Sequence, residues 1–316
     1  MPPRRVHRFT REAMATVFEI FVADREEAYA GQAARAAFDE VDRIERLLSR
    51  FDPASEVSRI GRLRPGGSLR VGIETAQVLG LAAFVQAETD GAFDINHLAS
   101  GRGAGRRREA CPPPLSRLVR VERIERGYEV IRVPGRGTRA LSGLDLDPGA
   151  VGKGFALDCA LAVLRDWDVG NVLLHAGTST ALASGPGPAA GGKADGPGWP
   201  VGAGPDAGSP RGPGRVLLRG RALSGSGTEV KGAHIVDPRT GRPAAGHSAA
   251  WASHPSAAAA DALSTAFMVM STEEVAGFCG RHPAVWARVK IGPETCRMFN
   301  AGAIAGKEPA RTRRRR

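Results

Sequence analysis

Cysteine is scarce in this chain. Its four residues, Cys111, Cys159, Cys279 and Cys296, are scattered through 316 positions with no C-x-x-C pair. That pattern excludes the usual zinc-binding spacings and a disulfide framework, and leaves the thiols as small buried hydrophobes. Aromatic residues make up only 5%. No apolar run approaches the ~20 residues needed to span a bilayer. The basic start, Met1 to Arg8, is not followed by the apolar stretch and small-residue cleavage site of a secretory leader. A cytoplasmic protein is therefore expected.

What is present fits a folded chain, with 42% hydrophobic and 24% charged residues, while 41 glycines and 22 prolines imply loose stretches. The net charge of +11 invites comparison with nucleic-acid binders. Much of it is local, however, in Arg106-Arg107-Arg108 and in the tail from Arg311 to Arg316. Such blocks are usually solvated, and no helix-turn-helix, finger or aromatic-basic sheet motif accompanies them. Nucleic acid is not expected as the main partner.

Thr16–Val22 alternates as a strand. Asp24 is placed to cap a long helix with Ala37, Val41, Ile44, Leu48 and Phe51 on one face. A second helix is expected over Glu74–Glu88, with Gly91 just beyond it. Residues 100–114 read as a loop, and Leu118–Val121 with Tyr128–Val133 as a hairpin. A Gly-rich loop at 149–154 then leads into a helix ending near Trp167, followed by a strand, Val172–His175. Residues 184–214 have hardly any apolar period and read as a flexible surface excursion. Further strands are expected at Arg215–Leu218, His234–Val236 and Ser248–Ser253. Ser256 can cap a helix over Ala257–Met270, and Ser271–Glu274 is a capping box. Strands and helices interleave without a βαβ period, which predicts an α+β fold with mixed sheets. One domain over residues 1–302 and a disordered basic tail over 303–316 complete the expected layout.

Three segments point to chemistry. Gly149-Ala150-Val151-Gly152-Lys153-Gly154 lies at a strand-to-helix junction, where free N–H groups attract phosphate and Lys153 adds a charge. It matches neither the P-loop nor the Rossmann fingerprint, and a plain tight turn explains it as well. His234-Ile235-Val236-Asp237-Pro238-Arg239-Thr240-Gly241 ends a strand in a turn. Asp237 there serves turn chemistry equally well, and His234 alone reads more readily as a structural histidine. In Asp261-Ala262-Leu263-Ser264-Thr265, a carboxylate and a hydroxyl four positions apart share one helix face. Oxygen ligands so placed suit Mg²⁺, and a solvated polar stripe is the alternative.

Taken in order, these segments resemble the ApbE-type FAD:protein FMN transferase family. Supporting pieces are Met14-Ala15-Thr16-Val17-Phe18, Leu48-Ser49-Arg50-Phe51, Ser55-Glu56-Val57-Ser58-Arg59-Ile60, Gly91-Ala92-Phe93-Asp94, Asp158, and Ser226-Gly227. The resemblance implies two lobes enclosing a flavin cleft. It implies FAD as substrate, one Mg²⁺ held at Ala150, Asp261, Ser264 and Thr265, and catalysis by His234, Lys153, Asp261 and Thr265. Met14, Thr16, Phe51, Asp94, Ala150, Lys153, Gly177, Ser226, Gly227, His234 and Asp237 are the positions implied to contact FAD. The implied product is FMN joined through a phosphoester to a Thr or Ser hydroxyl of a partner flavoprotein, with AMP released. The alternatives are an FAD pyrophosphatase and a flavin-binding protein without turnover. The chain departs from the family pattern at Ala15, Gly61, the stretch after Asp94, His175-Ala176-Gly177-Thr178-Ser179, and Thr228-Glu229.

Overall fold

The alternation at Thr16–Val22 belongs to β2 (Thr16–Ala23), which forms a hairpin with β1 (Val6–Ala13). Met14 and Ala15 make its two-residue turn, both at positive φ (50° and 55°). Such a turn matches the twist of the paired strands. The structure, a computed structural model, describes residues 6–98, 113–134, 144–188, 196–203, 215–228, 235–292 and 295–305.

α1 (Glu27–Leu48) is capped by Glu26, whose carboxylate accepts from the Ala28 and Tyr29 N–H groups. Asp24, the expected cap, instead sits at φ 66° and accepts from Asn171 Nδ2 at 2.7 Å. The helix also stops sooner than its apolar period suggested. Ser49 Oγ accepts from the N–H groups of Phe51 and Asp52, and Phe51 turns outward at 82% exposure.

α2 (Glu56–Gly61), β3 (Ser68–Val71), α3 (Ile73–Glu88), α4 (Leu115–Leu118), β4 (Val119–Ile124) and β5 (Gly127–Arg132) follow. The expected hairpin is β4–β5, and β3 completes a three-stranded sheet in the order β3-β5-β4. Residues 100–112 of the expected loop lie outside the described residues.

The remaining elements are α5 (Gly152–Asp166), β6 (Val172–Ala176), β7 (Thr180–Ser184), β8 (Trp199–Gly202), β9 (Arg215–Leu218), β10 (Arg221–Gly227), β11 (Val236–Asp237), β12 (Arg242–Pro243), β13 (Ala249–His254), α6 (Ala257–Val269), α7 (Thr272–Arg281), β14 (Trp286–Lys290) and β15 (Cys296–Phe299). An eight-stranded antiparallel sheet runs β1-β2-β6-β7-β10-β13-β14-β15. Alternate side chains serve two faces. Val172, Leu174, Leu182, Ala222, Ala250 and Ala252 join the main core with α1, α5 and α6. Leu173, Ala181, Ala183, Leu223 and Trp286 form a second core on the other face.

The fold is thus α+β, as its interleaved periods implied. The 184–214 stretch is less loose than its composition suggested. β8 pairs with β9, and Trp199 is buried in the second core with Nε1 donating to Ser184 O at 3.2 Å. One aromatic among glycines and prolines carries no period, so its burial was illegible. Ala303 and Ile304, just past the expected domain end, also pack on that core. The basic tail from residue 306 lies outside the described residues. Among the described residues no helix is long and apolar enough to cross a membrane.

Candidate active site

Two helices cross at van der Waals contact, and Gly154 makes the crossing possible. A Cβ there would lie 2.2 Å from the Ala257 carbonyl oxygen. The two helices are tied together one turn further on. Asp158 of α5 accepts from Ser256 Oγ (2.7 Å) and from the Ala257 and Ala258 N–H groups (2.8 and 3.0 Å), the first turn of α6. Burial raises the Asp158 carboxyl above its ordinary range, although those three donors and Arg165 pull the other way.

The crossing aims the start of α5 at Asp261, which is 4% exposed. Its Oδ2 accepts the Gly154 N–H at 3.2 Å and lies 3.9 Å from Lys153 Nζ. Oδ1 faces the hydroxyls of Ser224 (3.3 Å) and Thr180 (3.4 Å). One turn on, Thr265 Oγ1 donates to the Asp261 carbonyl at 3.3 Å, which leaves the hydroxyl oxygen as an acceptor. Ser264 Oγ donates to the same carbonyl at 3.0 Å and lies 2.9 Å from Ser226 Oγ, itself 3.4 Å from Thr265 Oγ1. Asp261 and Thr265, one turn apart, are thus joined through the Asp261 main-chain carbonyl, and Ser264 and Ser226 lie beside them.

A buried carboxylate surrounded by hydroxyls and one ammonium at 3.9 Å is under-compensated. Its neighbours are hard oxygen donors, the set that Mg²⁺ prefers. Among the described residues no group of three His, Cys, Asp or Glu side chains gathers in metal-binding fashion. A cation here would thus rest on one carboxylate plus hydroxyl and carbonyl oxygens.

Ala150 ends a 3-10 turn, Pro148–Ala150, capped by Asp147, whose Oδ1 accepts the Gly149 N–H at 2.9 Å. Lys153 Nζ folds back onto the Gly149 carbonyl at 2.6 Å. Asp147 was not singled out in the sequence, yet it joins three expected segments. Its N–H donates to Ile95 O at 2.6 Å, beside Asp94, and its Oδ2 lies 3.5 Å from Arg50 Nε. The Arg50 guanidinium stands 4.5 Å from the Phe51 ring centroid. The only sequence signal for Asp147 is an Asp-Pro-Gly turn.

Asp94 is buried, with one oxygen accepting the Asn96 N–H at 2.8 Å and the other, Oδ2, without a hydrogen-bond partner among the described residues. Desolvation raises its carboxyl above the ordinary range, although the Asn96 N–H and His97 pull the other way. Met14 donates its N–H to Glu45 Oε1 at 2.9 Å. Thr16 and Gly177 touch: Gly177 has φ 59°, and a Cβ on it would meet Thr16 Oγ1 at 2.3 Å. Gly227 closes β10 opposite Ala249.

Asp237 spends its carboxylate on its own turn, accepting from the Arg239 N–H (2.8 Å) and from the Arg239 guanidinium (3.1 and 3.2 Å). Arg239 also donates to Glu274 Oε1 at 2.8 Å, which ties the turn to α7. His234 lies outside the described residues.

No curated protein matches this chain. Among solved structures, the apo flavinyl transferase ApbE of Pseudomonas stutzeri is similar at 21% identity and TM-score 0.70, over 96% of this chain and 98% of that one. The flavin transferase ApbE of Vibrio cholerae is similar at 20% identity and TM-score 0.71, over 96% and 99%. The ApbE protein of Thermotoga maritima is similar at 22% identity and TM-score 0.73, over 96% and 100%. These likenesses establish a shared fold. The ApbE family model matches residues 14–288, nearly the whole folded chain, and this chain belongs to the ApbE family.

Proposed function

We propose that this chain is a flavin transferase that uses Mg²⁺, cleaves FAD and transfers FMN to a Thr or Ser hydroxyl of an acceptor protein. The observation that carries it is the convergence of Asp261, Thr265 and Lys153 at the start of α5. The similar structures include a flavinyl and a flavin transferase, which supports a flavin substrate.

The Asp261 carboxylate and the Thr265 hydroxyl, with main-chain carbonyls near Ala150 and Ser264, would hold the ion. When bound, it would supply charge neutralisation at a pyrophosphate and Lewis acidity at its phosphoryl oxygens. The chain's own part is positioning. The Gly152 and Lys153 N–H groups at the start of α5 would meet an anion at a helix N-terminus, while the Gly154 N–H holds Asp261 Oδ2. Lys153 can swing from the Gly149 carbonyl onto a phosphate oxygen. In the transfer, the acceptor oxygen bonds to the FMN phosphorus as the P–O bond to AMP breaks, and AMP leaves carrying the bridging oxygen. The acceptor hydroxyl must give up its proton, a task assigned to His234 as base.

Incubation with FAD, Mg²⁺ and a Thr-bearing flavoprotein acceptor, followed by intact-mass analysis, tests the proposal. The acceptor should gain the mass of FMN less one water, only with the metal. FMN and AMP released with no gain in mass would instead make the chain a pyrophosphatase, and tight FAD binding without AMP would make it a binder.

A further inference from the structure

We propose that Ser224, backed by Thr180, is a positioning residue that fixes the Asp261 carboxylate for its cation; this rests on the metal-dependent function proposed above. The two hydroxyls occupy directly paired positions of β10 and β7, on the sheet face that packs against α6. Ser224 is fully buried and Thr180 is 2% exposed. Their neighbours on that face include Leu182 and Ala222, so Ala and Val would fill these places without the cost of burying hydroxyls.

The hydroxyls form a chain that ends on Asp261. Thr180 Oγ1 lies 3.0 Å from Ser224 Oγ, and Ser224 Oγ lies 3.3 Å from Asp261 Oδ1. Ser264 Oγ closes the cluster, 3.2 Å from Ser224 Oγ and 3.0 Å from the Asp261 carbonyl. Each hydroxyl has one proton, and an ionised carboxylate only accepts. The carboxylate therefore takes protons from both strands: Ser224 donates to Oδ1, Thr180 donates to Oδ1 or to Ser224, and Ser264 donates to the carbonyl or to Ser224.

A carboxyl group on its own turns broadly about its last torsion. Held at Oδ1 by Ser224 and at Oδ2 by the Gly154 N–H, this one is fixed before any ion arrives. Groups behind a metal ligand typically change metal affinity by about 10–100-fold when removed. Ser224→Ala and Thr180→Val remove the hydroxyls at nearly constant volume.

Mn²⁺ is the probe, its free concentration followed by electron paramagnetic resonance in titrations of the full chain. The expected result is a Kd raised about tenfold in Ser224→Ala and further in the double variant. Thr180→Ser should bind like the parent, and melting temperatures in EDTA should stay close together. Parent-like Mn²⁺ affinity in the double variant would overturn the inference while leaving the transferase function standing. So would equal losses in Thr180→Ser and Thr180→Val, since the methyl rather than the hydroxyl would then matter. A parent chain with no saturable Mn²⁺ binding would overturn this role and the metal-dependent function together.

Discussion

Replacing Gly154 by Ala tests whether the crossing of α5 and α6 builds the site. The added Cβ would lie 2.2 Å from the Ala257 carbonyl oxygen, 2.5 Å from its carbonyl carbon and 2.7 Å from Ala258 N. All three are backbone atoms, so no rotamer change relieves the clash. The helices must part by about 1 Å to restore ordinary contact. Overpacking of this kind costs about 1–3 kcal/mol, which lowers the melting temperature by roughly 1–5 °C for a chain of this size. The same movement stretches the 3.2 Å contact from the Gly154 N–H to Asp261 Oδ2 beyond hydrogen-bonding range. A misplacement near 1 Å costs on the order of 100-fold in rate, so FAD turnover at saturating Mg²⁺ should fall by about that factor. Gly152→Ala is the matched control, because its Cβ would meet only Leu48 Cδ1 at 3.8 Å. Its melting temperature should match the parent's. If Gly154→Ala also melts and turns over FAD like the parent, the crossing does not set the geometry of the site.

Two further outcomes are expected. Asp261→Asn keeps the shape but removes the charge, so turnover at limiting Mg²⁺ should fall by roughly 100-fold or more with the fold retained. Thr265→Val should lose less and Thr265→Ser little; normal turnover in Asp261→Asn would refute the metal assignment. His254 is held neutral, its pKa lowered by burial and by the nearby Arg221 cation, while its Nδ1 accepts the Ser256 N–H at 3.0 Å. A histidine depressed in the folded state stabilises above its ordinary value near 6.5 and loses that stability as pH falls through the folded value. The parent should therefore lose more melting temperature than His254→Asn between pH 7.5 and 5.5, and equal losses would show that His254 does not titrate with unfolding.

The sequence by itself determined the elements with strong periods and clear caps. The 3.6-residue stripe of α1, the Ser256 cap of α6 and the capping box at Ser271 each carry their physics locally. The Asp261–Thr265 pair was equally legible, because helix geometry alone places both oxygens on one face. Other features depended on partners far along the chain. Asp24 looked like a cap until Asn171 claimed it, and Phe51 looked like core until Ser49 ended the helix. Trp199 found its burial only when β9 paired beside β8. Ser224 and Thr180 are unremarkable strand residues, 37 and 81 positions from Asp261. Only the stacking of β7 and β10 under α6 delivers their hydroxyls to one carboxylate, because burial and hydrogen bonding are settled by three-dimensional neighbours that local periodicity does not encode.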